Sequence, residues 1–153
     1  MGNWAYSAIF ARLLVEFIRN IEDVCTADMV IAVPISRQRL NERGFDQTEL
    51  ILDCMKKELP LNYKSGVLER KVHTKHQSRL AGYERFSNIS NAFAVRSDVR
   101  GKKIVVFDDV YTTGYTMEAC AKTLIEGGAR EVIALTLAKV PELYDDTGAR
   151  YIL

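Results

Sequence analysis

The chain has 153 residues, of which 48% are apolar and 27% charged, and its formal net charge is +1. A chain of that length buries about two thirds of its unfolded surface, and the composition excludes a disordered or strongly polyionic protein. No window approaches the roughly 18 apolar residues of a membrane span and no secretion signal opens the sequence, so a cytoplasmic protein without a membrane span is expected.

Trp4, Ile9, Phe10, Leu13, Leu14, Phe17, Ile18 and Ile21 recur at spacings of three and four, which predicts an amphipathic helix over residues 4–21 covering a sheet. Met29-Val30-Ile31-Ala32-Val33 is too short for a helix and rich in β-branched residues. It reads as a strand buried on both faces and closed by Pro34. Leu50, Ile51, Cys54 and Met55 form a second stripe, predicting a helix from about Asp46 to Glu58 that Pro60 stops. Residues 66–70 suit a short strand. Residues 71–91 are polar, basic and aperiodic, which predicts a long mobile loop of the kind that covers active sites.

Lys103-Ile104-Val105-Val106-Phe107 is another buried strand. A polar turn from Asp108 to Thr113 follows, then a helix with Met117, Cys120, Ala121, Leu124 and Ile125 on one side and a left-handed cap at Gly127-Gly128. Val132 to Leu137 is a further buried strand. Alternating strands and helices predict an α/β fold, a mainly parallel sheet flanked by helices, in a single domain over residues 1–153. Ligands on such sheets bind at the carboxyl ends of the strands. Cys25, Cys54 and Cys120 form no C-x-x-C, so each is expected to be a small buried apolar residue rather than a disulfide partner or zinc ligand. The charge is uneven: residues 64–103 hold ten Lys/Arg against Glu69, Glu84 and Asp98, leaving that stretch at +7 and the rest at −6. Such a stretch is either a solvated surface or a contact for phosphate or nucleic acid.

The most informative string is Val105-Val106-Phe107-Asp108-Asp109-Val110-Tyr111-Thr112-Thr113-Gly114-Tyr115-Thr116. A buried strand delivers two adjacent carboxylates to the edge of a sheet, and carboxylates, which only accept hydrogen bonds, suit a sugar diol. Thr112, Thr113, Gly114 and Thr116 then surround a helix N-terminus, whose amide groups and positive dipole end favour phosphate. Gly114 permits close approach of the backbone and the threonine hydroxyls add donors.

This string resembles the phosphoribosyl pyrophosphate signature of the type I phosphoribosyltransferases. A second segment, Val33-Pro34-Ile35-Ser36-Arg37-Gln38-Arg39-Leu40-Asn41-Glu42-Arg43-Gly44-Phe45-Asp46-Gln47, resembles the ComF group within them, as does Gln77 to Phe93 with Leu80, Arg85, Asn88 and Ala92. The resemblance implies a type I phosphoribosyltransferase-like fold in which Asp108 and Asp109, the catalytic pair, bind the ribose 2- and 3-hydroxyls. It implies further that Val110, Tyr111, Thr112, Thr113, Gly114, Tyr115 and Thr116 line the substrate site, with residues 112–116 on the 5-phosphate. Ser36, Arg37, Arg39 and Arg43, from the first loop, and Lys75, Arg79 and Arg85, from the basic stretch, would face the pyrophosphate, and Mg2+ would be held mainly by that ligand. Position 46 departs from the group, with Asp where Asn is usual, and the zinc module that commonly begins ComF proteins is not found before Trp4.

Two functions of different class follow. The chain is a phosphoribosyltransferase joining an unidentified nitrogen acceptor to C1 of the sugar, or a non-catalytic factor in competence and DNA uptake that binds the phosphoribosyl ligand or single-stranded DNA. No base-recognition motif stands out to name the acceptor. Tyr83 and Phe86 are the only rings in residues 64–92, so nucleic-acid contact is the weaker expectation for the basic stretch. His73 and His76 lack a nearby Asp or Cys and read as polar loop residues. Partnership with other competence proteins, or a homodimer, is compatible with the resemblance.

Overall fold

The computed structural model describes residues 2–71 and 92–139. The chain runs through α1 (Gly2–Ile18), α2 (Glu22–Cys25), β1 (Met29–Ala32), α3 (Arg37–Arg43), α4 (Gln47–Met55), β2 (Leu68–Arg70), β3 (Phe93–Val95), β4 (Lys103–Tyr111), α5 (Tyr115–Glu126) and β5 (Glu131–Lys139). β1, β4 and β5 form a parallel sheet in that order. Beyond β1, the segment around Tyr63 adds a parallel bridge to Val30. β2 and β3 pair separately as an antiparallel hairpin.

The two-residue period of the strands divides the core into halves. Met29, Ile31, Val33, Ile104 and Val106 face α5 and the β2–β3 hairpin, meeting Met117, Cys120, Leu124, Leu68 and Phe93. Val30, Val105, Phe107 and Leu135 face the other way, onto Ala11, Leu14, Val15 and Ile18 of α1 and Ile51, Leu52 and Met55 of α4. Each fully buried side chain of this kind contributes about 1.5–3 kcal/mol. The sheet is therefore covered on both faces, as its continuous apolar runs imply.

Several elements differ from expectation in instructive ways. The first helix ends at Ile18 rather than 21, and it turns Ser7, Ala11, Leu14, Val15 and Ile18 inward while Ile9, Leu13 and Phe17 stay 55%, 62% and 48% exposed. α1 is apolar almost all round, so its periodicity could not say which face would dock. The small Ser7 and Ala11 decide it by allowing α1 close to α4, where the Gln47 amide donates to Ser7 Oγ at 2.8 Å. In α4 the buried set is Thr48, Ile51, Leu52, Cys54 and Met55, with Leu50 only half-buried. The loop after β1 contains α3, capped by Ser36 at its start and by Gly44, at φ 75°, at its end. β4 continues to Tyr111, so Asp108 and Asp109 lie in a strand, not in a turn. The neighbouring strand β5 supplies the backbone partners that extend it, pairing Asp108 with Thr136 and Tyr111 with Lys139.

At the end of α5 the left-handed residue is Gly128, at φ 96°, not Gly127. Its amide donates to Ile125 O and that of Ala129 to Leu124 O, the paired closure that lets the chain reverse into β5. Ile125, expected on the buried side, is 49% exposed, and Ala119 takes an inward place instead. Cys54 and Cys120 are buried as expected, but Cys25 is exposed, since α2 is a single turn on the sheet's amino side. All three are free thiols. Among the described residues no helix is long and apolar enough to cross a membrane.

Candidate phosphate-binding site

β1 ends level with Phe107, the residue of β4 just before the acidic pair, and β4 runs on to Tyr111. Ala32 is level with Phe107, and the Val33 amide donates to Phe107 O at 2.9 Å, so the loop after β1 departs beside Asp108. The first loop and the acidic pair therefore share the sheet's carboxyl edge, where expectation placed them. Asp108 Oδ1 accepts the amide of Asp109 at 2.9 Å, and the two carboxyls are close enough to share a hydrogen bond. β4 keeps one register against β5 through the acidic pair, with Asp108 level with Thr136 and Val110 level with Ala138.

Burial, first, and then the adjacent Asp109 push the Asp108 carboxyl up to about 7, the Asp46 charge adding to the effect. Two close carboxyls out of water cannot both ionise cheaply, so the pair holds a proton near neutrality. Cys120 lies beneath: burial, then Asp108, pushes its thiol up to about 12, and it is inert at neutral pH.

Asp46 stands where the ComF pattern usually has Asn. It caps α4, accepting the amides of Thr48 at 2.9 Å and Glu49 at 3.3 Å, and it also accepts the Ile35 amide. One carboxylate thus ties the two ends of the first loop together. Burial raises its proton affinity, with the Asp109 charge a lesser cause. Burial and the Asp46 charge likewise raise that of Glu49, which is hydrogen-bonded to Tyr63, and the Tyr63 phenol is raised by burial and by Glu49.

The turn from Thr112 to Gly114 leads into α5, whose cap residue, Gly114, is at φ 77° and makes no side-chain cap hydrogen bond. α3 and α4, by contrast, are closed by Ser36 and Asp46. A Cβ at Gly114 would stand 2.2 Å from the Tyr111 hydroxyl, so the glycine accommodates this side chain of its own chain as well as the positive φ. Thr112 and Thr113 are exposed, Thr116 is half-buried, and Tyr115 and Val110 are 39% and 42% exposed.

Of the first-loop residues, Ser36 Oγ accepts the Arg39 amide at 3.3 Å and so shapes the start of α3. Arg37, Arg39 and Arg43 are exposed, Arg37 lying 3.8 Å from Glu69. Lys75, Arg79, Arg85, His73, His76 and the expected loop over 71–91 lie outside the described residues, save Lys71. Glu69 was missed by the sequence analysis, and no local pattern marks it.

A family model described as a phosphoribosyl transferase domain matches residues 50–150. The chain belongs to the phosphoribosyl transferase domain family. Relatives of this family member include "DNA utilization protein YhgH" of Escherichia coli O157:H7, 33% identical over 82% of this chain and 56% of that protein. Another is "Competence protein ComFC" of Streptococcus pneumoniae, 30% identical over 90% of this chain and 58% of that protein. These names bear out the ComF kinship expected from the first loop. The chain spans little more than half the length of the relatives it matches. A hypoxanthine-guanine phosphoribosyltransferase from Bacillus anthracis superposes over 93% of this family member and 76% of its own chain, with a TM-score of 0.57 at 12% identity. That likeness, with the parallel sheet covered on both faces, establishes the type I phosphoribosyltransferase-like fold.

Proposed function

We propose that this chain binds phosphoribosyl pyrophosphate at the carboxyl edge of its sheet. The observation that carries the reading is the junction of β4 and α5: two consecutive aspartates, with Asp108 Oδ1 accepting the Asp109 amide, then a turn into a helix whose cap residue is the glycine Gly114. Asp108 and Asp109 accept the two ribose hydroxyls, and the amides and hydroxyls of residues 112–116 take the 5-phosphate. Val110 and Tyr111 line the passage between these groups. Ser36 holds the first loop in shape, and Arg37, Arg39 and Arg43 offer planar donors to the pyrophosphate.

Magnesium fits this donor set only in part. The acidic pair offers hard oxygens, but among the described residues no group of three or more side chains could hold a metal ion. The ion would enter on the ligand's pyrophosphate, with Asp108 and Asp109 ordering its water, and when bound it neutralises charge on the departing group. In the transfer that the site would support, a nitrogen of the acceptor bonds to C1 as the C1–O bond breaks. The bonding electrons leave with pyrophosphate, and the nitrogen gives up its proton. Titration calorimetry with phosphoribosyl pyrophosphate, with and without magnesium, is the test. Saturable one-to-one binding lost in a folded Asp108→Asn/Asp109→Asn chain is expected, and no heat from the unaltered chain would overturn the reading.

The names of the relatives support a setting for this activity in DNA uptake or utilisation. A single-stranded DNA contact would use the basic stretch within residues 64–103. Its signature is an affinity that falls steeply with salt and is indifferent to loss of Asp108 and Asp109.

A further inference from the structure

Glu69 stands in the middle of β2, where its carboxylate meets two arginines from separate parts of the chain. Its Oε2 accepts from Arg96 Nε at 2.6 Å and lies 2.6 Å from Arg96 Nη2, a charge-assisted fork within the β2–β3 hairpin region. Its Oε1 is 3.8 Å from Nη2 of Arg37, too far for a hydrogen bond. Arg37 opens α3, the helix of the loop that leaves β1 beside Asp108. Among the described residues the carboxylate therefore has one firm partner, and its second partner is the first arginine of the candidate pyrophosphate loop.

We propose that Glu69 competes with the ligand's pyrophosphate for Arg37 and thereby lowers the affinity of the site for pyrophosphate-bearing ligands in particular. The inference rests on the proposed reading of the site. Three observations point the same way. The Arg37 side chain is 77% exposed and its ion pair is long, so it can swing away without repacking anything. Arg96 remains on Glu69 when Arg37 leaves, so the exchange strands no bare carboxylate. An arginine also makes a stronger bidentate contact with a phosphate than with a carboxylate oxygen at 3.8 Å. The competition acts only on ligands that reach Arg37. Ribose 5-phosphate, which would be held by the acidic pair and residues 112–116, does not feel it.

The test is calorimetry on the whole chain and its Glu69→Gln variant, with phosphoribosyl pyrophosphate plus magnesium and, separately, with ribose 5-phosphate. Glutamine keeps the length of the side chain and an oxygen for Arg96. Affinity for the pyrophosphate ligand should rise about 3- to 5-fold, the size of one exposed ion pair, with that for ribose 5-phosphate unchanged. In an Arg37→Ala background the same Glu69→Gln substitution should have no effect. Unchanged or weaker pyrophosphate binding in Glu69→Gln overturns the proposal, and so does an equal gain for both ligands, which would be a general field effect. Failure of the unaltered chain to bind either ligand would bring down the site reading itself, whereas binding of both with no effect of Glu69→Gln brings down this inference alone.

Discussion

The phenol of Tyr111 rests on Gly114, so close that a Cβ at residue 114 would come within 2.2 Å of its hydroxyl and 2.6 Å of its ring carbon Cζ. The last residue of β4 and the cap of α5 thus define each other, and the turn between them takes its shape from inside the chain. Gly114→Ala should suffer twice, from the left-handed backbone and from the clash. A loss of about 2–3 kcal/mol in urea unfolding is expected, of the order usual for strain at a special backbone position. Adding Tyr111→Ala should recover the clash component but not the backbone component. Full additivity of the two losses would mean that the contact does not set the turn.

The acidic pair can be tested apart from the turn. Asn at both Asp108 and Asp109 should weaken phosphoribosyl pyrophosphate binding by about 2 kcal/mol or more, because hydrogen bonds to charged groups contribute ~1.5–3 kcal/mol each. The measurement is calorimetry at pH 8, above the pH at which Asp108 gives up its proton.

The same residue makes stability depend on pH. Its folded-state proton affinity, at about 7, is above the ordinary carboxylate value of 3.8, so between these limits the folded chain holds a proton that the unfolded chain has released. Stability contributed by Asp108 is therefore fully present below pH 4 and is lost as pH rises towards 7. Asp108→Asn removes this loss. Urea midpoints at pH 5 and pH 8 should differ less in the variant than in the unaltered chain, and the variant should be the more stable at pH 8. Parallel pH profiles would show that Asp108 titrates normally.

Asp46 separates two effects that one side chain combines. Asp46→Ala removes the cap of α4 and should cost about 0.5–2 kcal/mol, whereas Asp46→Asn keeps an accepting oxygen for the amides of Thr48 and Glu49 and should cost little. Asp46→Asn also removes a negative charge that acts on Asp108, so the pH midpoint of the preceding effect should move down. Carboxyl titration followed by NMR reads it directly, and an unmoved midpoint would mean that the two groups do not sense each other.

Much of this was legible along the chain because it is local. β1 and β4 announce themselves as apolar β-branched runs, and a strand buried on both faces needs no knowledge of its neighbours to be recognised, whereas β5, expected to be buried from Val132 to Leu137, is buried only at Leu135 and Thr136. The acidic pair and the helix start that follows are consecutive residues, and a contiguous string carries its own geometry. The docking face of α1 was not legible: with apolar residues on nearly every side, the choice fell to the small Ser7 and Ala11 and to the shape of α4. The length of β4 beyond Phe107 was likewise decided by β5, since polar residues such as Asp108 extend a strand only when a neighbour offers its backbone. Asp46 joining Ile35 to α4, and Glu69 joining Arg37 to Arg96, link residues far apart in sequence. No period or motif encodes such contacts, because they exist only once packing of the sheet has brought separate loops to one edge.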